Sequence, residues 1–284
     1  MESLLTVIIP CKDERANISS CVASVRSIAG EILVADSGST DGTLDVVRGL
    51  GGCRTIQREY VYSGDFKNWA IPQAIHPWIL LLDADERVPA ELAREIEQLL
   101  RGGPSQDAYW TYRTNHFLGH RIRYGDWGRD KVIRLFRRDI SRYTGDTDHA
   151  EISVRTGKVG VLRHRLEHYS ARHYDQYLAK LRRYTTLQAE RWHAAGLRSN
   201  PWRLMLGGPF RFLRSYVLRL GFLDGVAGFH VSMLMAIYAY WKQVRLWELQ
   251  HAANPSNAME PTEPHDTVAT SHEQHESGVV LGTR

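Results

Sequence analysis

The chain has 284 residues, long enough to bury one substantial α/β core and a helical extension. Hydrophobic residues are 43% and charged residues 24%, ordinary for a globular protein, and the net charge of +4 comes with no pattern of a nucleic-acid-binding module. Three cysteines (Cys11, Cys21, Cys53) without C-x-x-C spacing argue for a reducing compartment and against a disulfide framework.

In chain order, Leu4 to Ile9 is an apolar run that ends in Pro10-Cys11-Lys12-Asp13-Glu14. A strand that starts almost at the first residue leaves no room for a signal peptide. Glu31 to Ala35 is a second apolar run, followed by Asp36-Ser37-Gly38-Ser39-Thr40-Asp41-Gly42-Thr43 and then an amphipathic pattern at Leu44, Val47 and Leu50. Trp78 to Leu82 is a third, running straight into Asp83-Ala84-Asp85-Glu86, with a helix expected near 89–100. Three strands, each followed by a polar loop and a helical pattern, make a parallel βαβαβ unit with all three loops on one edge of the sheet.

That edge is where open α/β sheets bind ligands. Asp83 and Asp85 are two apart, so extended backbone points them the same way, and carboxylates that close repel unless a cation sits between them. A hard divalent ion, Mg²⁺ or Mn²⁺, suits such oxygens and bridges to substrate phosphates. The plainer alternative is a strand end with Glu86 and Glu91 in the first turns of the next helix. Both acidic residues lie past the hydrophobic part of the strand, so their substitution is expected to stop turnover with little loss of folding. Asp36 is placed to accept hydrogen bonds from a base or ribose, and the alternative there is an ordinary turn capped by Thr40 or Asp41.

Residues 108–114 and 131–136 alternate like strands. The loop between them, Asn115 to Asp130, is rich in Gly, Arg, His, Tyr and Trp. Aromatic faces there can stack on sugar rings while arginines bind phosphate, or Tyr124 and Trp127 simply pack the loop down. Residues 201–219 carry Arg203, Arg211, Arg214 and Arg219 among apolar and aromatic residues, with no acid. Residues 220–241 are mostly apolar but broken by Asp224, His230 and three glycines. Basic, aromatic and amphipathic, the first stretch reads as a helix lying in an anionic membrane interface, and the second as interfacial or re-entrant rather than spanning. A pair of core helices is the alternative. Residues 252–284 lose periodicity and are expected to be disordered.

The series Thr6-Val7-Ile8-Ile9-Pro10-Cys11-Lys12-Asp13-Glu14, Val34-Ala35-Asp36-Ser37-Gly38-Ser39-Thr40-Asp41-Gly42-Thr43 and Leu82-Asp83-Ala84-Asp85-Glu86 strongly resembles the family 2 glycosyltransferases of GT-A fold. Lys67-Asn68-Trp69-Ala70, Phe117-Leu118-Gly119, Arg134-Leu135-Phe136-Arg137-Arg138, His168-Tyr169-Ser170 and Gly221-Phe222-Leu223-Asp224-Gly225 extend the resemblance over residues 4–249. The longer series is similar to the WaaE/KdtX-like β-1,4-glucosyltransferases of the lipopolysaccharide inner core.

The resemblance implies an α/β GT-A fold, a mostly parallel sheet flanked by helices, with a C-terminal helical, membrane-associating extension. The catalytic domain would occupy residues 1–165, the helical region 166–250 and the tail 251–284. Pro10, Lys12, Glu14, Asp36, Ser37, Lys67 and Asp83 would bind the donor nucleotide. Asp85 and Asp83, with His149, would hold the metal. Related enzymes often show Val-His-Glu where this chain has Asp148-His149-Ala150-Glu151, so the base is taken from Glu151, Asp148 and Asp146, in that order. Trp127 and Arg134 would face the acceptor.

The implied partners are a nucleotide-sugar donor, above all a UDP-sugar, a lipid-linked saccharide acceptor and an anionic membrane surface, with no nucleic acid. The implied location is the cytoplasmic face of the bacterial inner membrane. Two other readings stand beside it. A nucleotidyltransferase would carry a Gly-rich phosphate loop after its first strand, unlike Pro10-Cys11-Lys12-Asp13-Glu14. An inactive GT-A scaffold would have lost its acidic pairs, and Asp36, Asp83 and Asp85 are present.

Overall fold

The structure, a computed structural model, describes residues 4–145, 151–171 and 173–252. The N-terminal half runs β1 (Leu5–Cys11), α1 (Ile18–Val25), β2 (Glu31–Asp36), α2 (Thr43–Leu50), β3 (Arg54–Gln57), α3 (Ser63–Ala70) and β4 (Trp78–Leu81). Strand alternation sorts these residues into two cores. Val7, Ile9, Ile32, Val34, Leu80 and Leu82 face one cluster with α1. Ile8, Leu33, Ala35, Ile79 and Leu81 face the other, against Phe66 and Ala70 of α3. Because both faces are covered, the strands read as unbroken apolar runs. Each fully buried Leu or Ile contributes about 1.5–3 kcal/mol.

The next elements are β5 (Glu86–Arg87), α4 (Ala90–Arg101), β6 (Ala108–Phe117), β7 (His120–Ile122), β8 (Lys131–Arg137), β9 (Ser141–Thr144), β10 (Glu151–Val154), β11 (Val159–Val161) and β12 (Leu166–Ala171). The main sheet has the order β3-β2-β1-β4-β8-β6-β12-β5. The expected parallel unit is there, with β1 parallel to both β2 and β4. The sheet as a whole is mixed, since β8 runs antiparallel to β4 and to β6. A connection through β7 and a loop suffices for an antiparallel β6–β8 pair, whereas a parallel pair needs a crossover.

Glu86 does not open the helix after β4. A turn closed by Glu86 N–H to the Asp83 carbonyl, at 2.9 Å, leads instead into the two-residue strand β5. Strand β5 pairs antiparallel with β12, setting His168 opposite Glu86.

Helices α5 (Tyr174–Ala194), α6 (Pro201–Leu213) and α7 (Gly225–Ala252) complete the chain, with a π-helical turn over Arg214–Leu218 and a 3₁₀ turn over Gly221–Asp224 between the last two. Asn200 caps α6 by accepting the Trp202 N–H at 2.8 Å, and Pro201 supplies a first helical residue that has no N–H to satisfy. Of the three glycines expected to interrupt the last apolar stretch, Gly221 and Gly225 (φ +60°) bound the 3₁₀ turn before α7, and only Gly228 lies in the helix interior. Gly228 lies against the Gly221 carbonyl, where a Cβ would come within 1.9 Å, so the glycine permits close packing. Val231 and Leu234 of α7 pack on Phe117 and Ile122, which fixes the helix to the sheet.

Candidate active site

A cavity of about 770 Å³ opens at the carboxyl ends of β1 and β4 and is walled on its far side by residues of α5 and α7. Pro10, Lys12, Glu14, Ser37, Lys67, Asp83, Asp85, Trp127, Arg134 and Glu151 all line it. Asp146, Asp148 and His149 lie outside the described residues.

The two aspartates after β4 line the same cavity and have different partners. Asp83 faces cations already in place: Arg134 Nη2 bonds its Oδ2, and Lys67 Nζ lies 3.4 Å from its Oδ1. Arg134 also donates to Glu86 Oε1 at 2.7 Å, and Glu86 Oε2 accepts the Asp83 N–H at 3.1 Å. Arg113 extends the network, 3.4 Å from Glu86 and 2.6 Å from Asp130. Burial alone would raise the Asp83 carboxyl, but Arg134, Lys67 and Arg113 hold it far below the usual carboxylate range. Asp83 is thus paired with two cations on the cavity wall. Arg134 is 4% exposed, lines the cavity and bridges Asp83 and Glu86 through Nη2.

Asp85 has different neighbours. His168 Nε2 is 3.6 Å and Lys180 Nζ 3.4 Å from its Oδ2. Burial would raise this carboxyl too; His168 and Lys180 outweigh it and bring it down to about 2. The histidine's tautomer follows from its other partner. Asn115 donates Nδ2–H to the Trp127 carbonyl at 2.9 Å and to Asp130 at 3.1 Å, so its Oδ1, 2.6 Å from His168 Nδ1, accepts that ring N–H. His168 Nδ1 thus carries a proton, and the ring is held with its Nε2 facing Asp85. A carboxylate and an imidazole held side by side are donors that would suit a divalent ion.

Asp36 does not line the cavity. Its carboxylate sits under the loop it begins, accepting Gly38 N–H at 3.0 Å, Ser39 N–H at 3.1 Å, the Ser39 hydroxyl and Gln57 Nε2 at 3.2 Å. Burial opposes its charge, but these donors lower its pKa. The geometry makes Asp36 the holder of the Ser37–Thr40 loop rather than a group free to meet a base. Asp41 does not cap α2, whose N-cap is Gly42; its carboxylate accepts the Thr43 N–H at 2.9 Å in the turn that leads into the helix.

The opposite wall is set by Lys67-Asn68. Asn68 exchanges two 2.8 Å hydrogen bonds with the Tyr143 backbone, tying α3 to the β9–β10 hairpin. Glu151 begins β10 at the cavity edge, opposite Thr144. Lys67 Nζ stands 5.1 Å from the Tyr143 ring centroid. Trp127 has its edge on Phe117, and its Nε1–H points to Met235 Sδ at 3.2 Å, so it seals the cavity against α7.

A family model, Glycosyl transferase family 2, matches residues 6–169. The chain belongs to glycosyltransferase family 2. It is 30% identical over 254 residues to the lipopolysaccharide core biosynthesis glycosyltransferase LpsC of Rhizobium meliloti, covering 87% of this chain and 93% of LpsC. An uncharacterized glycosyltransferase of Rickettsia typhi is 28% identical over 263 residues, 88% of each chain. Among solved structures, the mannosyltransferase PcManGT from Pyrobaculum calidifontis, in complex with GDP-Man and Mn²⁺, superposes with a TM-score of 0.52 at 17% identity, covering 87% of this chain and 88% of that one. The fold is therefore of GT-A type and the glycosyltransferase is an enzyme of that class.

Three residues of this glycosyltransferase's site were not assigned from the sequence. His168 stood in a quoted motif without a role; its place beside Asp85 depends on the β5–β12 pairing. Glu86 read as a helix-start acid and is a fully buried partner of Arg134. Lys180 is a helix residue with no motif around it.

Proposed function

We propose that this glycosyltransferase is an inverting, metal-dependent hexosyltransferase that moves a sugar, glucose foremost, from a UDP-sugar to a lipid-linked saccharide such as the lipopolysaccharide inner core. The observation that carries this reading is Asp85 paired with His168 at the carboxyl end of β4, inside a cavity large enough for a nucleotide sugar and an acceptor end. The similarity to LpsC over nearly its whole length supports a lipopolysaccharide acceptor. Mn²⁺ and GDP-Man in PcManGT are consistent with a divalent ion and a nucleotide sugar here. The family match disfavours the nucleotidyltransferase alternative, and retention of Asp83 and Asp85 disfavours an inactive scaffold.

Asp85 and His168 would hold the ion, which when bound supplies positive charge to the departing diphosphate. Lys67 and Lys12 add charge on the protein side. The loop held by Asp36, with Pro10, Glu14 and Ser37, forms the nucleotide wall. Asp83, kept ionised by Arg134 and Lys67, is placed to accept a donor hydroxyl. Inversion needs a base on the face opposite the diphosphate. Glu151, which lines the cavity, is our first candidate, with Asp148 and Asp146 as the others.

The surface of α6 and the turns after it supports our reading of the location. Trp202 (71% exposed), Met205, Leu206, Phe210, Leu218, Leu223 and Val226 (73%) form an uncovered apolar face. The stretch Gly221–His251, which holds an 18-residue window of mean hydropathy 1.4, is long and apolar enough to cross a membrane by length and composition. The reading we favour is a peripheral or re-entrant anchor on the cytoplasmic face of the inner membrane, because Asp224 accepts from the Arg123 and Tyr124 N–H groups and Arg211 and Arg219 are engaged by Asp126 of the same loop.

Purified enzyme incubated with a panel of nucleotide sugars and truncated core lipopolysaccharide tests the proposal. Nucleoside diphosphate release should require one UDP-hexose, the core acceptor and Mg²⁺ or Mn²⁺. A product with retained anomeric configuration, or full activity in excess chelator, would overturn it.

A further inference from the structure

Lys180 enters the site from α5, beyond the residues matched by the family model. Its Nζ is 3.4 Å from Asp85 Oδ2 and 3.3 Å from the Ser170 carbonyl. His168 Nε2 approaches the same oxygen of Asp85 at 3.6 Å. The Asp85 side chain is 11% exposed and that of Lys180 38%, so the carboxylate is enclosed while the ammonium retains a path into the cavity. An ammonium carries three donors, and the two contacts above leave one directed elsewhere.

We infer that Lys180 is a positioning residue of the donor site, balancing the charge of Asp85 before substrate arrives and shifting to the donor diphosphate once a divalent ion takes that carboxylate. The inference rests on the reading of Asp85 and His168 as the metal seat. A divalent ion and an ammonium on the same carboxylate oxygen repel strongly at such separations, so the two cannot share it without cost. The lysine has a flexible four-carbon stem and a compact charge, whereas His168 is fixed by Asn115. Lys180 is therefore the group that moves. The strongest new anion that enters the cavity with the donor is its diphosphate.

This arrangement makes opposite demands on two affinities. Removing the ammonium should strengthen metal binding in the empty enzyme and weaken nucleotide binding in the metal-loaded one. A residue that only supports α5 would not move them in opposite directions. The tie from α5 to α7, through Arg245 Nε and Thr185 Oγ1 at 3.0 Å, is independent of Lys180, so the helix should stay in place.

The test is calorimetric titration of the full chain and its variants with Mn²⁺ alone, and with UDP at saturating Mn²⁺. Lys180→Met should bind Mn²⁺ about tenfold more tightly and UDP about tenfold more weakly than wild type. Lys180→Arg, which keeps the charge, should return both values toward wild type. Unchanged or weaker Mn²⁺ binding in Lys180→Met, or unchanged UDP binding, would overturn the role of Lys180. Asp85→Asn separates the two layers of the argument. Mn²⁺ affinity equal to wild type in that variant would overturn the metal seat itself, and the role of Lys180 with it.

Discussion

The Asp224 carboxylate accepts the backbone N–H of Tyr124 at 2.8 Å, across 100 residues of sequence. The same oxygen accepts the Arg123 N–H at 3.0 Å. Two residues past Tyr124, Asp126 is held by Arg211 Nε at 2.8 Å and by Arg219. The Gly125 N–H donates to the Arg219 carbonyl at 2.9 Å. The loop that carries Trp127 to the cavity is thus bolted to the apolar C-terminal hairpin. An acidic residue that looks costly in an apolar stretch is here the cap of two backbone donors.

Asp224→Ala should release that loop. The loss of two hydrogen bonds to a carboxylate costs about 2 kcal/mol. The expected kinetic result is a raised acceptor KM with UDP affinity unchanged. Hydrogen exchange should quicken at residues 123–126 and stay as in wild type in β1 and β4. Equal exchange at residues 123–126 in both proteins would show that the contact does not hold the loop.

The two aspartates after β4 should separate in stability although both are needed for turnover. Asp83→Asn leaves Arg134 and Lys67 without their shared anion in a site where Arg134 is 4% exposed. Breaking a buried pair costs roughly 3–5 kcal/mol, and the partial exposure of Asp83 reduces that to about 2. Asp85→Asn should cost less than that, because Lys180 can turn to solvent. Urea unfolding at pH 7 measures both, and equal stabilities would contradict the Arg134–Asp83 assignment. The sign with pH follows from depressed carboxyls. Their contribution is full above the unfolded value near about 4. It is lost as pH falls through the folded value, about 2 for Asp85. The gap between wild type and Asp83→Asn should therefore close below pH 4.

The acidic strand end was legible because everything that defines it is contiguous: an apolar run, then Asp83, Asp85 and Glu86. The partners of those residues were not, because they arrive through pairings far away in sequence. His168 reaches Asp85 only because β12 pairs with both β6 and β5. Strand β3 escaped notice because it is an edge strand with mostly exposed residues and no apolar alternation. Asp36 looked like a ligand contact since sequence cannot show that its oxygens are taken by Gly38, Ser39 and Gln57. The arginines at 211 and 219 looked like membrane contacts for the same reason.

Asp36→Ala should act through the loop. With its donors left unpaired, the Ser37–Thr40 segment loses its fixed shape, and stability falls by about 1–3 kcal/mol. UDP affinity measured by calorimetry should fall, and Asp36→Asn should recover part of it by accepting from Ser39. If Asp36→Asn binds UDP no better than Asp36→Ala while the fold is intact, a charged contact to the nucleotide is the better account.

The last expectation concerns the membrane face, where the structure divides four arginines into two pairs. Arg211 and Arg219 are engaged by Asp126, while Arg203 is exposed and Arg214 partly so. Each basic residue near an anionic surface contributes roughly 1 kcal/mol. Only Arg203 and Arg214 are placed to do so, and most of the binding must come from the apolar face of Trp202, Met205, Leu206 and Phe210. In flotation with anionic vesicles, replacing these four apolar residues with Ser should release the enzyme. Arg203→Ser with Arg214→Ser should weaken binding mainly at low salt, where screening is least. Arg211→Ser with Arg219→Ser should instead raise acceptor KM, since it frees Asp126 and the Trp127 loop. If wild type fails to float at low salt, the apolar face belongs to a protein partner. If the second arginine pair affects flotation as much as the first, the Asp126 clamp is not what occupies it.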